Sequence, residues 1–198
     1  MKHRKPALDR RKVVAEVLRN RGDALVVAGL GAPCWDIAAA GDHPLNFYTW
    51  GGMGGAAMIG LGLALAQPQR RVLVITGDGE LLMGLGSLAT IGVQQPRNLA
   101  VIVVDNEHYG ETGMQLTHTR FGVDLAGIAR ASGFRAAGTV YSSAQLKAWL
   151  PRLLRQPGPV FAGIKVTTGR APLVLPAREG PLLKNRFREA LLGTRAFE

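Results

Sequence analysis

Residues 71–80 read RVLVITGDGE and pass from an apolar run directly into a glycine-rich turn. Residues 72–75 are apolar without alternation, which is typical of a strand that is buried on both faces of a parallel sheet. The run ends in residues 77–79, where a carboxylate stands between two glycines. This order predicts a central strand whose carboxyl end carries a functional turn.

Apolar runs of the same kind recur along the chain and alternate with helical patterns. The alternation predicts an α/β fold, namely a three-layer, doubly wound, mostly parallel sheet with helices on both faces. The predicted strands are 24–28, 46–50, 71–76, 99–104, 134–137 and 159–167. The predicted helices are 9–20, 34–40, a small-residue helix that opens at 51–55 and runs to 66, 85–93, 124–132, 142–155 and 181–192. Because the carboxyl ends of parallel strands meet at one edge, the turns at 29–31, 77–80 and 105–110 are expected to lie side by side.

The composition fits one globular domain, or one domain with an appendage. The chain has 198 residues, of which 47% are apolar, and a chain of this size buries about 70% of its unfolded surface. Cys34 is the single cysteine, which excludes disulfide frameworks and cysteine-rich metal clusters within the chain and suits a reducing compartment such as the cytoplasm. The longest apolar stretch, 53–66, is too short to span a bilayer, so no membrane segment is expected.

The formal net charge of +10 raises the question of a nucleic-acid partner. The basic residues are dispersed, however: some lie at the amino terminus (Lys2, Arg4, Lys5, Arg10, Arg11, Lys12), others at 70–71 and more after 152. No aromatic-rich RNA-binding signature accompanies them. Attraction of an anionic substrate or an acidic protein partner is therefore the expected use of the charge, and no nucleic acid is expected.

Two interpretations of Asp78 follow from its chemistry. Asp78 ends one predicted strand, and Asn106 follows the next. Carboxylate and amide oxygens are ligands for Mg²⁺ or Ca²⁺, and Mg²⁺ takes its remaining ligands from phosphate and water. Flanking glycines let backbone N–H groups approach a phosphate. The alternative is that Asp78 merely caps the helix that follows it, and the residues alone leave both interpretations open.

A longer pattern favours the first interpretation. The segment 77–113, GDGELLMGLGSLATIGVQQPRNLAVIVVDNEHYGETG, and the upstream segment 46–66, NFYTWGGMGGAAMIGLGLALA, resemble the diphosphate-binding domain of thiamin-diphosphate-dependent decarboxylases. The resemblance is closest to the β subunits of the sulfopyruvate and phosphonopyruvate decarboxylase type. It extends to the tail at 176–192 and covers most of the chain. It implies residues 1–170 as the diphosphate-binding domain and 171–198 as a basic, proline-containing tail with a short helix.

The resemblance implies thiamin diphosphate and Mg²⁺ as cofactors. Asp78 and Asn106 match the two side-chain ligands of the metal, and the backbone carbonyl of His108 matches the third protein ligand. Gly79 and Glu80 match positions whose backbone N–H groups reach the diphosphate.

Further positions match the ring-binding part of the family's site. Met53 matches the apolar residue beneath the thiazolium, which bends the cofactor into its reactive shape; it is the catalytic residue that the resemblance implies. Gly52 matches the position whose carbonyl contacts the pyrimidine. Leu30 and Gly31 lie in the first strand-end turn, where phosphate or pyrimidine contacts are expected.

The predicted cofactor loop continues past the metal ligands, with less specific matches. Tyr109 and Gly110 complete this loop, although both could serve only to shape it. Glu111 and His118 could face a substrate or the solvent.

The family's activating glutamate belongs to a second, pyrimidine-binding domain, for which 198 residues leave no room. The resemblance therefore implies half of an active site, completed by a partner α subunit in an α/β hetero-oligomer. The implied reaction is the nonoxidative decarboxylation of a small anionic 2-oxo acid, such as sulfopyruvate or phosphonopyruvate. The alternatives are the β subunit of a 2-oxoacid oxidoreductase, which the single cysteine disfavours, an acetolactate-synthase-like enzyme, or a cofactor-binding module without catalysis.

Overall fold

The continuous apolar runs become a six-stranded sheet in which every neighbouring pair of strands is parallel. The structure is a computed structural model that describes residues 8–169 and 171–197; the basic residues Lys2, Arg4 and Lys5 lie outside these ranges. The strands of the sheet are β1 (Leu25–Ala28), β2 (Asn46–Tyr48), β3 (Val72–Gly77), β4 (Leu99–Asp105), β7 (Ala136–Val140) and β8 (Val160–Lys165). A separate antiparallel hairpin joins β5 (His108–Tyr109) to β6 (Gln115–Leu116). The order across the sheet is β2-β1-β3-β4-β8-β7.

The helices connect successive strands, and two of them begin at side-chain caps. Asp9 accepts a hydrogen bond from the Lys12 backbone N–H (2.8 Å), and Ser142 accepts one from that of Gln145 (3.3 Å). The helices are α1 (Arg10–Arg19), α2 (Ala32–Ala39), α3 (Ala56–Ala66), α4 (Asp78–Met83), α5 (Ser87–Gln94), α6 (Leu125–Ala131), α7 (Ser143–Leu154) and α8 (Gly180–Leu192), with short 3-10 turns at His118–Phe121 and Gly193–Phe197. Among the described residues, no helix has both the length and the apolar character needed to cross a membrane.

Successive strand residues are buried on opposite faces of the sheet, which produces two apolar layers. In β1, Val26 packs in one layer with residues of α1, α2 and α7. Its neighbour Val27 packs in the other layer with residues of α3, α5 and α6. The strands are thus apolar on both sides because helices cover both sides. The predicted three-layer α/β fold is confirmed.

Several local predictions differ from the structure. The segment expected to be a simple turn after β3 instead starts helix α4 at Asp78 itself. The small-residue helix begins at Ala56 rather than at the preceding glycines, because Gly51 and Gly54 adopt positive φ angles that a helix does not use. The strand predicted at 134–137 lies at Ala136–Val140. The hairpin β5–β6 was not predicted, since its strands are two residues long and carry no periodic signal.

The C-terminal segment returns across the sheet to its β2 edge. Trp50 donates its indole N–H to the Ala177 carbonyl (2.8 Å). Phe187 of α8 packs edge-to-face on Phe47 of β2, with ring centroids 5.5 Å apart. α8 therefore covers an edge strand that would otherwise expose unpaired backbone groups. The division into a domain and a tail stays a prediction, and its boundary residue, 170, lies outside the described residues.

Candidate active site

The three polar turns lie side by side, as expected, because β1 pairs with β3 and β3 pairs with β4. They form the wall of a cavity of about 520 Å³ at the carboxyl ends of the strands. Ten of the predicted site residues line it: Leu30, Gly31, Met53, Asp78, Gly79, Glu80, Asn106, His108, Tyr109 and Gly110. Gly52 precedes Met53 and is exposed beside the cavity rather than among its lining residues. The fold thus brings together positions that are up to 80 residues apart in sequence.

Asp78 is placed by the abrupt end of β3. Its side chain is 1% exposed and occupies the first position of α4, whose N-cap is Gly77. Oδ2 accepts a hydrogen bond from the Thr117 hydroxyl (2.5 Å), and the Thr119 hydroxyl lies 3.3 Å from the same oxygen. No side-chain capping bond is made at α4. The interpretation of Asp78 as a helix cap is therefore wrong, and its carboxylate faces the threonines and the cavity.

Among the described side chains, Asp78 has no cationic partner, unlike the neighbouring buried carboxylates of Asp105 and Glu107. Lys165 lies 2.8 Å from Asp105 and 2.8 Å from Glu107, so those two carboxylates share one ammonium. Within residues 8–169 and 171–197, no basic side chain forms an ion pair with Asp78. Burial, and secondly the charge of Asp105, raise the pKa of Asp78 to about 7. The protein therefore keeps a desolvated carboxylate beside an open cavity.

Glu80 lies next to the expected diphosphate position, but its side chain points elsewhere. Its Oε1 accepts the backbone N–H of Ala56 (3.0 Å), and its Oε2 accepts the Thr76 hydroxyl (2.5 Å). Glu80 therefore caps the start of α3, where free N–H groups favour a negative charge. Its backbone N–H lies in the first turn of α4, where such groups lack intrahelical partners, and its contact with a diphosphate stays a prediction.

The loop after β4 is held by local hydrogen bonds. The side-chain oxygen of Asn106 accepts the backbone N–H of His108 (3.0 Å), and the His108 ring lies 2.8 Å from the Asn106 carbonyl through Nδ1. A carbonyl oxygen has a second lone pair, so this turn leaves the Asn106 oxygen able to bind a cation. Tyr109 packs against Gly79, where a Cβ would lie 2.7 Å from the ring. Glycine is thus required at 79 for the loop to close against α4.

The cavity lining includes two exposed methionines and one arginine. Met53 and Met83 line the cavity, although 36% and 56% of their surface remain exposed. Arg10 also lines the cavity. Arg10 and Arg11 both pair with the fully buried carboxylate of Asp36, Arg11 at 3.2 Å. The acidic residues Asp78, Glu80 and Glu111 also line the cavity, so Arg10 is a local positive group in a wall that is not basic as a whole.

The donors at this edge fit a magnesium ion and a phosphate. Among the described residues, no group of three or more His, Cys, Asp or Glu side chains could hold a metal unaided. One carboxylate and one amide oxygen leave positions for a backbone carbonyl, for phosphate and for water, which is how Mg²⁺ is usually bound. The uncompensated charge of Asp78 is the feature that such a cation would neutralise.

Some residues of the site were not found by sequence reasoning. Thr117, Thr119 and Lys165 contact the buried carboxylates, yet no local pattern distinguishes them from surface polar residues. Of the two positions left open, Glu111 lines the cavity, whereas His118 is exposed with Nδ1 3.5 Å from the Tyr109 hydroxyl. Cys34 is buried and donates to the Gly29 carbonyl (3.1 Å), as expected of a small apolar residue.

Comparisons with known proteins agree with this geometry. Residues 31–164 match the family described as thiamine pyrophosphate enzyme, C-terminal TPP binding domain. The chain is 36% identical over 186 residues to the sulfopyruvate decarboxylase subunit beta of Methanothermobacter thermautotrophicus, which covers 94% of this chain and 97% of that protein. It is 38% identical over 182 residues to the phosphonopyruvate decarboxylase of Streptomyces viridochromogenes, covering 89% of this chain but 44% of that protein.

A solved structure with the same fold is the benzoylformate decarboxylase of Polynucleobacter necessarius. The TM-score is 0.69 at 20% identity, with 87% of this chain and 36% of that chain covered. The chain therefore spans nearly the whole of that β subunit but less than half of each of the two longer proteins.

Proposed function

The chain belongs to the family of the thiamine pyrophosphate enzyme C-terminal TPP-binding domain, and from this we propose that it is the β subunit of a thiamin-diphosphate- and Mg²⁺-dependent 2-oxo acid decarboxylase. The observation that carries the proposal is the buried carboxylate of Asp78, which lies without a cationic partner among the described residues and lines the same cavity as Asn106. The full-length agreement with a sulfopyruvate decarboxylase β subunit supports the same reaction class. It is a carbon–carbon lyase reaction, nonoxidative, and yields an aldehyde and CO₂.

In this proposal, Asp78, Asn106 and the backbone carbonyl of His108 hold Mg²⁺. The backbone N–H groups of Gly79 and Glu80 belong to the unpaired first turn of α4 and donate to the diphosphate. The side chain of Glu80 can coexist with that phosphate because it is committed to α3. When bound, thiamin diphosphate supplies the electron sink for decarboxylation.

Other residues of the chain position the rings and close the cavity. Met53 supports the thiazolium ring from the apolar side of the cavity, and the Gly52 carbonyl reaches the pyrimidine. Leu30 and Gly31 contact the cofactor from the turn after β1. Tyr109, which packs on Gly79, and Gly110 form part of the cavity wall next to the bound cofactor.

A partner α subunit completes the site by supplying the glutamate that activates the pyrimidine. The surface next to the cavity suits such a partner, because α3 contains no charged residue and exposes Met58, Ile59 and Leu65. Met53 and Met83, which line the cavity, are exposed apolar residues as well. Exposed apolar residues in one area are typical of a protein–protein interface. We infer a hetero-oligomer in which the cofactor lies between the two kinds of subunit.

The proposed substrate class rests on the names of the relatives and on one arginine at the cavity wall. The relatives are named for sulfopyruvate and phosphonopyruvate, which carry an anionic group besides the 2-oxo acid. Arg10, which lines the cavity, brings positive charge to where such a group could be attracted. We propose a pyruvate substituted at C3 with a sulfonate or phosphonate.

The proposal is tested by titration calorimetry with thiamin diphosphate and Mg²⁺, on the chain alone and on the chain with its partner subunit. Cofactor binding that requires Mg²⁺ and is strengthened by the partner is the expected result, followed by CO₂ release from sulfopyruvate or phosphonopyruvate. Absence of cofactor binding in both preparations would refute the proposal. Binding without CO₂ release from either substrate would retain the cofactor site and refute the substrate class.

A further inference from the structure

Two threonines behind the cavity hold the carboxylate of Asp78. Thr117 is fully buried and Thr119 is 5% exposed. The Thr117 hydroxyl donates to Asp78 Oδ2 at 2.5 Å, and the Thr119 hydroxyl lies 3.3 Å from the same oxygen. We propose that Thr117 and Thr119 are positioning residues that bind one oxygen of Asp78 and thereby present the other oxygen to a divalent cation. The proposal rests on the proposed function, since it assigns a role at the same metal site.

The two carboxyl oxygens of Asp78 have different surroundings. Both hydroxyls approach Oδ2, and within residues 8–169 and 171–197 no side chain donates a hydrogen bond to Oδ1. A hydrogen bond to one oxygen restricts the rotation of the carboxyl group. The second oxygen then has a defined direction. Partners of this kind orient metal ligands in many proteins. Oδ1 is therefore the oxygen available to the cation.

The partners of Asp78 among the described side chains are hydroxyl groups rather than ammonium groups. A hydroxyl orients a carboxylate but does not cancel its charge, whereas an ammonium group would compete with the cation. The structure places its nearby ammonium, that of Lys165, on Asp105 and Glu107 instead. In the described part of the chain, no ammonium group therefore occupies Asp78 in place of a metal cation, and the direction of its carboxyl group is held by a neutral donor.

The two threonines have unequal roles. Thr119 donates to Asp105 Oδ1 at 2.8 Å, a shorter contact than its 3.3 Å approach to Asp78. It therefore lies between the two carboxylates and separates them, whereas Thr117 is the main donor to Asp78. The two hydroxyl oxygens lie 3.0 Å apart, and each has one proton, so in this arrangement Thr117 donates to Asp78 and Thr119 to Asp105.

Thr117 also closes the base of the hairpin that forms one cavity wall. Its backbone N–H donates to the Glu107 carbonyl at 2.9 Å, just outside the strand pair His108–Tyr109 and Gln115–Leu116. One residue thus joins the return strand of the hairpin to the end of β3. The direction of Asp78 and the placement of His108 are consequently determined together.

The test is a Mg²⁺ titration of the chain assembled with its partner subunit, at saturating thiamin diphosphate, followed by calorimetry. Thr117→Val, which removes the hydroxyl at nearly constant volume, should weaken Mg²⁺ binding by about 10- to 100-fold. Thr117→Ser restores the hydroxyl and should return the affinity to within about threefold of the wild type. Thr119→Val should cause a smaller loss than Thr117→Val.

Thr49→Val is the matched control. Thr49 is buried, and its hydroxyl donates to the Ala28 carbonyl at 2.6 Å, away from Asp78. Its loss should lower the melting temperature to a similar extent as Thr117→Val but leave the Mg²⁺ affinity unchanged. If Thr117→Val does not fold, Thr117→Ala replaces it. The loss of Mg²⁺ affinity expected for Thr119→Val provides an independent measurement.

The outcomes separate the two proposals. Wild-type Mg²⁺ affinity in Thr117→Val, together with lost affinity in Asp78→Ala, would overturn the role of the threonines while the metal site stands. Wild-type affinity in Asp78→Ala would instead overturn the metal site itself. If Thr117→Val and Thr49→Val lost Mg²⁺ affinity to the same extent, Thr117 would have only a structural role.

Discussion

The polar side chains at the two ends of the central sheet have different kinds of partner. At the amino-terminal end, the Asn98 side-chain amide lies within 3.0 Å of the carbonyls of Ala64, Gln67 and Arg70. Also at that end, the Arg71 guanidinium donates to the Leu153 carbonyl at 2.8 Å. Asn98 and Arg71 thus join loops and helices through neutral backbone acceptors, and their hydrogen bonds are made within the protein.

The carboxyl end gathers carboxylates instead. Asp105 and Glu107 share Lys165, Glu80 caps a helix, and Asp78 has hydroxyl partners only among the described side chains. A polar group that the protein satisfies stabilises the fold, whereas a desolvated charge that it leaves uncompensated is available to a ligand. The difference between the two ends indicates which one is structural and which one is functional.

The largest effect on stability is expected at Lys165. There the carboxyl end resembles the amino-terminal end, because the buried charges have their partners within the protein. Lys165→Met removes the ammonium from Asp105 and Glu107, although Glu107 keeps its ion pair with Arg120 at 3.5 Å. The loss of the buried pair with Asp105 should lower the free energy of unfolding by about 3–5 kcal/mol. Urea denaturation measures the change. Lys147→Met, at an exposed position on α7, is the control and should change little. A loss below about 1 kcal/mol would mean that the buried carboxylates are compensated in another way.

Asp78 should show the opposite behaviour. Asp78→Ala removes a candidate ligand but no compensated ion pair, so Mg²⁺-dependent cofactor binding should fall by more than about 100-fold, since losing even an outer partner of a metal ligand costs about 10- to 100-fold. The melting temperature without cofactor should not decrease, because a buried charge is removed. Calorimetry and thermal denaturation measure the two quantities. Asp23→Ala, at a largely exposed carboxylate, should alter neither, and a lower melting temperature in Asp78→Ala would contradict the contrast between the two ends.

Asn98 tests the structural end directly. Asn98→Ala removes the amide that serves three carbonyls and should lower the free energy of unfolding by about 1–3 kcal/mol. Cofactor affinity, measured on the assembled protein below its melting temperature, should be unchanged. A change in affinity larger than the change in stability would show that the two ends are coupled.

Met53 tests the apolar side of the carboxyl end. Met53→Ala should lower kcat by about tenfold, because support of the bent cofactor matters in the reaction more than in binding. The dissociation constant of thiamin diphosphate should change by less than about threefold. Steady-state kinetics and calorimetry provide both numbers. If neither changes, Met53 serves only to shape the cavity rim.

The smallest effect is expected at Cys34, where no reaction should occur. Burial, reinforced by Glu111 and Glu80, raises the pKa of the Cys34 thiol to about 12. At pH 8 only about one thiolate in ten thousand molecules is then present, and the thiolate is the reactive form. Folded protein should resist a thiol reagent between pH 7 and 9, whereas protein in urea should react fully. Rapid labelling of the folded chain would mean that the carboxyl end opens near α2.

The fold was largely predictable from the sequence because its signals are local. Runs such as 72–75 and 99–104 are apolar at consecutive positions, which requires burial on both faces of a sheet. The junction at Asp78 was also local, since a carboxylate between two glycines directly follows a strand. The hairpin and helix α4 were missed, because elements of two to six residues carry too few repeats of any period.

Local patterns were enough to predict the layers, the edge at which the polar turns meet, and Asp78 with Asn106 as candidate ligands. Which carboxylates have a cationic partner depended on the folded arrangement. Lys165 reaches Asp105 because β4 and β8 pair in a register that places the two residues opposite each other. Thr117 reaches Asp78 because a hairpin returns the chain to the end of β3. Such contacts depend on strand register and chain reversal over tens of residues, and no local sequence pattern encodes them.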